Sequence, residues 1–277
     1  ADSCKKVELK GKLFSYLWDL VNRNGTMIEQ DFFLFKDSGY KLNKGLHLIG
    51  KRGQLKICKG ATIDPGVIID TTQGPVIIDR GARVRPLTVI VGPCYIGQLA
   101  LIDGAKLRPG VSIGAHCKIG GEVDESIILD YSNKHHDGFL GHAYLGSWVN
   151  LGAQTCNSDL KNNYGPVSVW LNERVVNTGS IKAGCFIGDH SKTAIGTLIN
   201  TGTVIGVGCN LHGGPARKCL PDFSWGNSER YVEHSLNKML ETAKAVMKRR
   251  GQAMTPAMEE LIKRIAGNTY PRRPVEP

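Results

Sequence analysis

Apolar residues recur along this chain at every sixth position. Ile78, Val84, Ile90, Ile96 and Ile102 form one run, and Leu107, Ile113 and Ile119 form a second, one residue out of phase. A third run comprises Ile181, Ile187, Thr193, Ile199, Ile205 and Leu211. Neither the face of a helix nor an alternating strand has this period. A six-residue repeat marks a parallel β-helix, in which short strands stack coil on coil. One aliphatic side chain per hexad enters a narrow shaft. No hexad buries that side chain alone, so stability comes from stacked neighbours. The next residue is often glycine, as at Gly97, Gly114, Gly120, Gly188 and Gly206, which predicts a tight corner or a positive φ there. A sandwich of evenly spaced strands is the alternative, and three runs in near register argue against it.

The same pattern divides the chain. Leu13, Leu17, Leu20 and Val21 predict a short helix near residues 12–22 and then an extended stretch to Gly50, so residues 1–53 read as an N-terminal linker. Residues 54–215 read as the β-helix. Its register fails near 125–138 (ESIILDYSNKHHDG), after which Phe139, Leu145 and Leu151 resume the spacing. A second, polar break near 154–180 predicts a projecting loop with a pair of strands around Val167–Val176. Pro215 and Pro221 are expected to end the last block, 181–213. Residues 228–250 read as an amphipathic helix with Val232, Leu236, Leu240, Ala243 and Met247 near one face. A second helix is expected over 256–266 and a frayed tail over Pro271–Pro277, so that 216–277 form a helical extension. A solenoid can stack indefinitely, so its breaks are the first places to look for a site, a partner or a cap.

Composition sharpens this picture. The 277 residues suffice for a substantial core, and 34 glycines with only 7% aromatics suit a thin aliphatic shaft. Eight cysteines are scattered without a CxxC pair. Cys94, Cys117, Cys185 and Cys209 fall inside hexads, where cysteine acts as a small hydrophobe, and reduced thiols in a cytoplasmic protein are expected. The sequence has no transmembrane run and no secretory signal. It begins Ala-Asp-Ser, as expected of an excised or processed piece. The net charge is +10, but no nucleic-acid recognition module or arginine-rich block accompanies it. An anionic small substrate, such as a nucleotide sugar or coenzyme A, accounts for the charge at least as well. Lys248, Arg249 and Arg250 suit the C-terminal end of a helix.

Candidate chemistry concentrates at the breaks. His135 and His136 sit beside Lys134 and Asp137, where a neutral imidazole could take a proton from an amine or hydroxyl. With His136, His142 and His190 are conceivable zinc ligands. No HxH pair is present and no cysteines interleave, so no metal is assigned. His116 and His212 read as structural or surface residues. Asn150 and Asn157 flank Gly152-Ala153 and could orient a sugar hydroxyl or an acyl group, or simply occupy tight corners. Lys192 and Arg108 could meet phosphates or be solvated.

Three stretches carry a resemblance: HDGFLGHAYLGSWVNLGAQTCN (136–157), LRPGVSIGAHCKIG (107–120) and FIGDHSKT (186–193). They occur in the order found in the acetyltransferase half of bifunctional sugar-1-phosphate nucleotidyltransferase/acetyltransferases, which make nucleotide-activated N-acetyl sugars. Residues about 60–215 resemble that half. The resemblance implies a left-handed β-helix that trimerises, with active sites between subunits and acetyl-coenzyme A as co-substrate. It implies that His136 deprotonates the acceptor amine and that Asn150 and Asn157 line the site. It places Ala153 where the backbone approaches the coenzyme, with Asp189 and Lys192 as further coenzyme contacts and Arg108 on a phosphate. Two positions depart from the family pattern. Phe139 stands for the usual tyrosine in the substrate site, and Asp124-Glu125 for an upstream lysine. No glycine-rich nucleotide-binding loop is visible. Residues 13–33, with WDLVNRNG at 18–25, resemble the linker between the two halves in a subgroup of sugar nucleotidyltransferases, so the chain is expected to be the C-terminal part of such a protein or a stand-alone relative.

The expectation is an acyltransferase that moves acetyl from acetyl-coenzyme A to an amino group of a sugar phosphate or nucleotide sugar. His136 would be the base, and backbone N–H groups near Ala153, together with an asparagine amide, that of Asn150, would stabilise the oxyanion. No nucleic acid and no membrane is expected as partner. A non-catalytic solenoid that trimerises and regulates a sugar nucleotidyltransferase is the alternative, and a zinc lyase or hydratase of the same architecture is a third.

Overall fold

In the computed structural model, nine short strands stack in parallel, one per coil, along one face of the molecule: residues 55–57, 76–78, 94–96, 111–113, 127–128, 144–145, 185–187, 203–205 and 219–220. The structure describes residues 11–269 except 12, 43, 172–173, 214–215 and 228. Register along this face aligns Ile57, Ile78, Ile96, Ile113, Ile128, Leu145, Ile187, Ile205 and Leu220 in one column. All nine are buried, and each contributes about 2 kcal/mol of apolar transfer. A second face stacks 62–63, 83–84, 101–102, 118–119, 133–134, Asn150, 192–193 and 210–211. A third carries 47–49, 68–70, 89–91, 106–107, 122–124 and 139–141, then 156–157 paired with 198–199. The chain is therefore a three-sided parallel β-solenoid, as the hexads predict.

The glycines after the aliphatic positions are needed for a different reason from the one expected. None of Gly97, Gly114, Gly120, Gly188 or Gly206 has a positive φ. A Cβ at Gly114 would lie 2.5 Å from Asp130 Oδ1 and one at Gly97 2.6 Å from the Ile113 carbonyl, so close approach of the next coil excludes a side chain. The positive φ falls later in the turn. Along the edge between the first and second faces it is taken by Leu99, His116, Tyr131, Trp148, His190, Gly208 and Phe223. His116, Tyr131 and Trp148 stack there with ring centroids 4.6 and 4.2 Å apart.

Several boundaries differ from the sequence expectations. The first helix, α1, is Leu17–Asp31 rather than 12–22; Lys12 lies outside the described residues. The Asp19 carboxylate accepts from the Ser15 and Tyr16 N–H groups and sets the start. Trp18, Val21, Asn24 and Ile28 then keep one face buried, so the helix takes up the first part, to Asp31, of the stretch read as extended. The solenoid starts at His47 and ends at Gly226, wider than 54–215. Pro221 lies between two strands of its last coil rather than ending it, and Pro215 and the tail Pro271–Pro277 lie outside the described residues. Residues 125–138 are no insertion: strands 127–128 and 133–134 continue the stack. The register is hidden because Lys134 occupies an inward position opposite Ile119. Leu140, not Phe139, is the next inward residue. The segment after Asn157 does leave the solenoid, and it carries an antiparallel hairpin, Ser168–Leu171 with Arg174–Asn177. Ile181 belongs to that excursion and is 51% exposed, so the third run effectively begins at Ile187.

Tyr231–Glu233 pairs antiparallel with Ser224–Gly226, which delays the next helix, α2, to Leu236–Arg249. Helix α3, Pro256–Thr269, outlasts the expected 256–266. Met239, Leu240 and Ala243 of α2 pack with Phe223, Ile262 and Ala266, so α2 is anchored on the last coil while its C-terminal end reaches back to His116.

Candidate active site

The edge between the second and third faces brings the central candidates together. His136-Asp137 turn this edge on one coil and Ala153-Gln154 on the next. The Gln154 N–H donates to the Asp137 carbonyl at 2.8 Å, and Gly196 N–H on the following coil donates to Ala153 O at 2.8 Å. His136 is exposed, while His135 is half-buried with Nε2 3.4 Å from Asp103 Oδ2. Asn150 is exposed on the second face, three residues before Ala153, and its Oδ1 accepts from Asn133 Nδ2 at 3.1 Å. Phe139 lies on the third face, three residues after His136. The edge is thus flanked by an amide on one side and an aromatic ring on the other.

Lys134 holds the His136 turn from inside. Its side chain points into the shaft, where Nζ donates to Gly120 O at 2.9 Å and His136 O at 2.8 Å. Gly121 makes room for it, since a Cβ there would lie 2.6 Å from Nζ. Burial disfavours the ammonium form and pulls the Lys134 pKa down to about 8.

Four other candidates are engaged within the protein. Asn157 is buried, with Nδ2 on Gly141 O and Oδ1 accepting from Gly141 N–H, both at 2.8 Å. Arg108 is paired with Glu122 at 2.9 Å. Asp189 Oδ1 accepts the Ser147 N–H at 2.9 Å on the aromatic edge, and Lys192 Nζ folds back on His190 O at 2.8 Å. Lys192 lies directly beside Asn150 in the second face. Asp189 turns a different edge from His136 and Ala153.

Sequence reasoning missed a charged cluster at the edge between the third and first faces. His142 is buried; its Nδ1 meets Asp159 Oδ2 at 2.8 Å and its Nε2 is in close contact with Glu125. Burial by itself would lower the His142 pKa, but the hydrogen bonds and charges of Asp159 and Glu125 outweigh it and raise the pKa to about 9. The Glu125 and Asp159 carboxyls are held below their ordinary values chiefly by their hydrogen bonds to His142. Asp124, His142 and Asp159 place potential ligand atoms within 4.8 Å of one another. A cation could use His142 only by displacing one of its two carboxylate partners. The acidic pair Asp124-Glu125, standing where a lysine is usual, was the signal in the sequence. The three histidines considered for zinc do not meet: His136, His142 and His190 turn three different edges, and His190 stacks on Trp148.

The hexads and the stacked strands define a three-sided parallel β-solenoid. No protein-family model matches the chain. Its homologues include a putative uncharacterized acetyltransferase, YaiX, of Escherichia coli K12, 33% identical over 150 residues that make up 53% of this chain and 65% of that protein. A bifunctional sugar-1-phosphate nucleotidylyltransferase/acetyltransferase of Sulfurisphaera tokodaii is 34% identical over 51% of this chain and 36% of its own length. The chain thus spans about two-thirds of the first relative and about a third of the second. Among solved structures, an Arabidopsis UDP-N-acetylglucosamine acyltransferase aligns over 83% of this chain and 91% of its own at 13% identity, with a TM-score of 0.41. Among the described residues, no helix is long and apolar enough to cross a membrane.

Proposed function

We propose that the chain is an acyltransferase that moves acetyl from acetyl-coenzyme A to an amino group of a sugar phosphate or nucleotide sugar, working as a homotrimer. The observation that carries this reading is the edge on which exposed His136 and Ala153 stack on successive coils with Asn150 alongside. An ammonium has no lone pair, so the acceptor must lose a proton before its nitrogen attacks the thioester carbon. His136 takes that proton. The C–N bond forms, the C–S bond breaks, and the coenzyme leaves as a thiol once the proton is returned to sulfur. Negative charge gathers on the carbonyl oxygen in between, where backbone N–H groups near Ala153 and the exposed amide of Asn150 are the candidate donors. The net charge of +10 favours anionic ligands.

Phe139 and the Arg108–Glu122 pair bear on the acceptor. Phe139 offers no hydroxyl, and Glu122 already occupies Arg108. A phosphate on the third face must therefore displace a carboxylate, so an acceptor whose phosphates lie away from Phe139 is preferred. The experiment is thiol release from acetyl-coenzyme A against a panel of amino-sugar phosphates and nucleotide-linked amino sugars. His136→Ala should lower the rate by about two to four powers of ten, while His135→Ala does much less and coenzyme binding persists in both. Wild-type rates in both variants would overturn the role of His136.

A second reading has an observation of its own. Asn157, Arg108, Asp189 and Lys192 are all bonded within the protein, as in a solenoid that only scaffolds a nucleotidyltransferase. Silence on every acceptor, with no binding of acetyl-coenzyme A at millimolar concentration, would favour that scaffold.

A further inference from the structure

We infer that Arg250 and Asn133 fix which end of the Asn150 amide faces outward. Arg250 closes α2, and its guanidinium crosses to the solenoid, with Nη1 3.3 Å from His116 O and Nη2 2.5 Å from Asn133 Oδ1. A guanidinium has donors only, so the Asn133 atom facing it must be the carbonyl oxygen. The other end of that amide is then Nδ2, which donates to Asn150 at 3.1 Å. Asn150 must answer with its own carbonyl oxygen, and its Nδ2 is left as the outward group. Among the described residues no acceptor meets that Nδ2. Donor accounting along these three residues therefore sets the polarity of the last one, Asn150, whose Nδ2 is presented to a ligand. Arg250 and Asn133 are positioning residues. The helix that carries Arg250 is anchored independently by Met239, Leu240 and Ala243.

The orientation itself stands on these hydrogen bonds alone. Its kinetic consequence rests on the proposed acyl transfer, in which an outward N–H donor stabilises the oxyanion and an outward carbonyl would repel it. Arg250→Glu inverts the relay: a carboxylate accepts from Asn133 Nδ2, Asn133 turns, and Asn150 follows. Asn133→Asp keeps the contact with Arg250 but can donate nothing, so Asn150 turns its N–H inward. Arg250→Lys keeps a donor in place.

Two readouts on the full chain test this. The first is steady-state acyl transfer. Arg250→Glu and Asn133→Asp should each lose about 100-fold or more in kcat, in line with the loss of one oxyanion donor. KM for acetyl-coenzyme A should stay within about two-fold. Arg250→Lys should stay within about three-fold of wild type in kcat. Asn133→Asp gains a charged pair with Arg250, so its thermal midpoint should not fall, and a rate loss cannot then be ascribed to unfolding. The second readout is the side-chain amide signal of Asn150 in protein labelled with 15N-asparagine, assigned by its loss in Asn150→Ala. It should move in Arg250→Glu and Asn133→Asp and hold in Arg250→Lys. If wild type transfers no acyl group, the functional reading fails and the amide signal still decides the relay. Wild-type kcat in Arg250→Glu, or an Asn150 signal that is the same in every variant, overturns the inference.

Discussion

Lys134 offers the sharpest thermodynamic test of the fold, because an ammonium stands where every neighbouring coil places an aliphatic side chain. Only 2% of it is exposed, and its pKa falls from 10.5 to about 8 through burial, against smaller opposing pulls from Cys156 and Asp137. A cation whose folded pKa lies below its unfolded one destabilises the fold while it stays protonated in both states. Between the two values the unfolded chain still binds the proton and the folded chain does not, so stability rises with pH. The relief is negligible at pH 7, about 1 kcal/mol near pH 8.5 and about 2–3 kcal/mol at pH 10. Lys134→Met keeps an unbranched side chain, one atom shorter, and removes the titration. Urea unfolding of both proteins, followed by far-UV circular dichroism at those pH values, measures the difference. Tyrosines such as Tyr95 and Tyr231, whose hydroxyls burial pushes up in the folded chain, ionise near pH 10 only when unfolded, and their contribution is common to both proteins and cancels. Wild type should gain on the variant by about 2 kcal/mol between pH 7 and pH 10. Parallel profiles would show that Lys134 is not held in the shaft in its charged form, and the clamp on the His136 carbonyl would fall with it.

His142 should show the opposite slope: its folded pKa of about 9 lies above the ordinary 6.5, so its contribution is fully present below about pH 6.5 and is lost as pH rises through 9. The stability advantage of wild type over His142→Gln should shrink across that window, and a flat difference from pH 6 to 9.5 would refute the triad with Glu125 and Asp159. Ile199 is 3% exposed and its neighbour Leu198 55%, so Ile199→Ala should cost about 2–5 kcal/mol in urea unfolding and Leu198→Ala under about 0.5; equal costs would mean that the inward register is misassigned.

The shaft was legible because its physics is local and periodic. Ile78 to Ile102 and Leu107 to Ile119 all point inward, since a side chain every six residues can meet its neighbours only by stacking. What hid the rest was substitution within that period. Lys134 broke the pattern by chemistry and not by geometry, so a continuous coil looked like an insertion. The start of α1 was set by a carboxylate cap at Asp19 that apolar spacing does not register. At α2 the apolar Val232 matched the helical period although Tyr231–Glu233 pairs as a strand, because three residues fit either period.

The candidate site was legible only as composition. His136, Ala153 and Asn150 are close in sequence, and stacking brings their turns together one coil apart, which the hexads imply once the coil is known to be unbroken. The roles of their neighbours depend on long-range partners. Asn157 and Asp189 looked like free polar groups at corners; the coil beside each uses them to satisfy backbone N–H groups that a tight turn leaves without a partner. The Arg250 contact spans 117 residues of sequence to Asn133, and no spacing rule links a helix end to a strand that far away. A solenoid makes this separation systematic. Its inward residues answer to the repeat, while its outward residues answer to whatever the next coil or a returning helix presents. Function on such a scaffold therefore has to be argued from which outward donors and acceptors remain unspent, and on this edge the described candidates are His136 and the Nδ2 of Asn150.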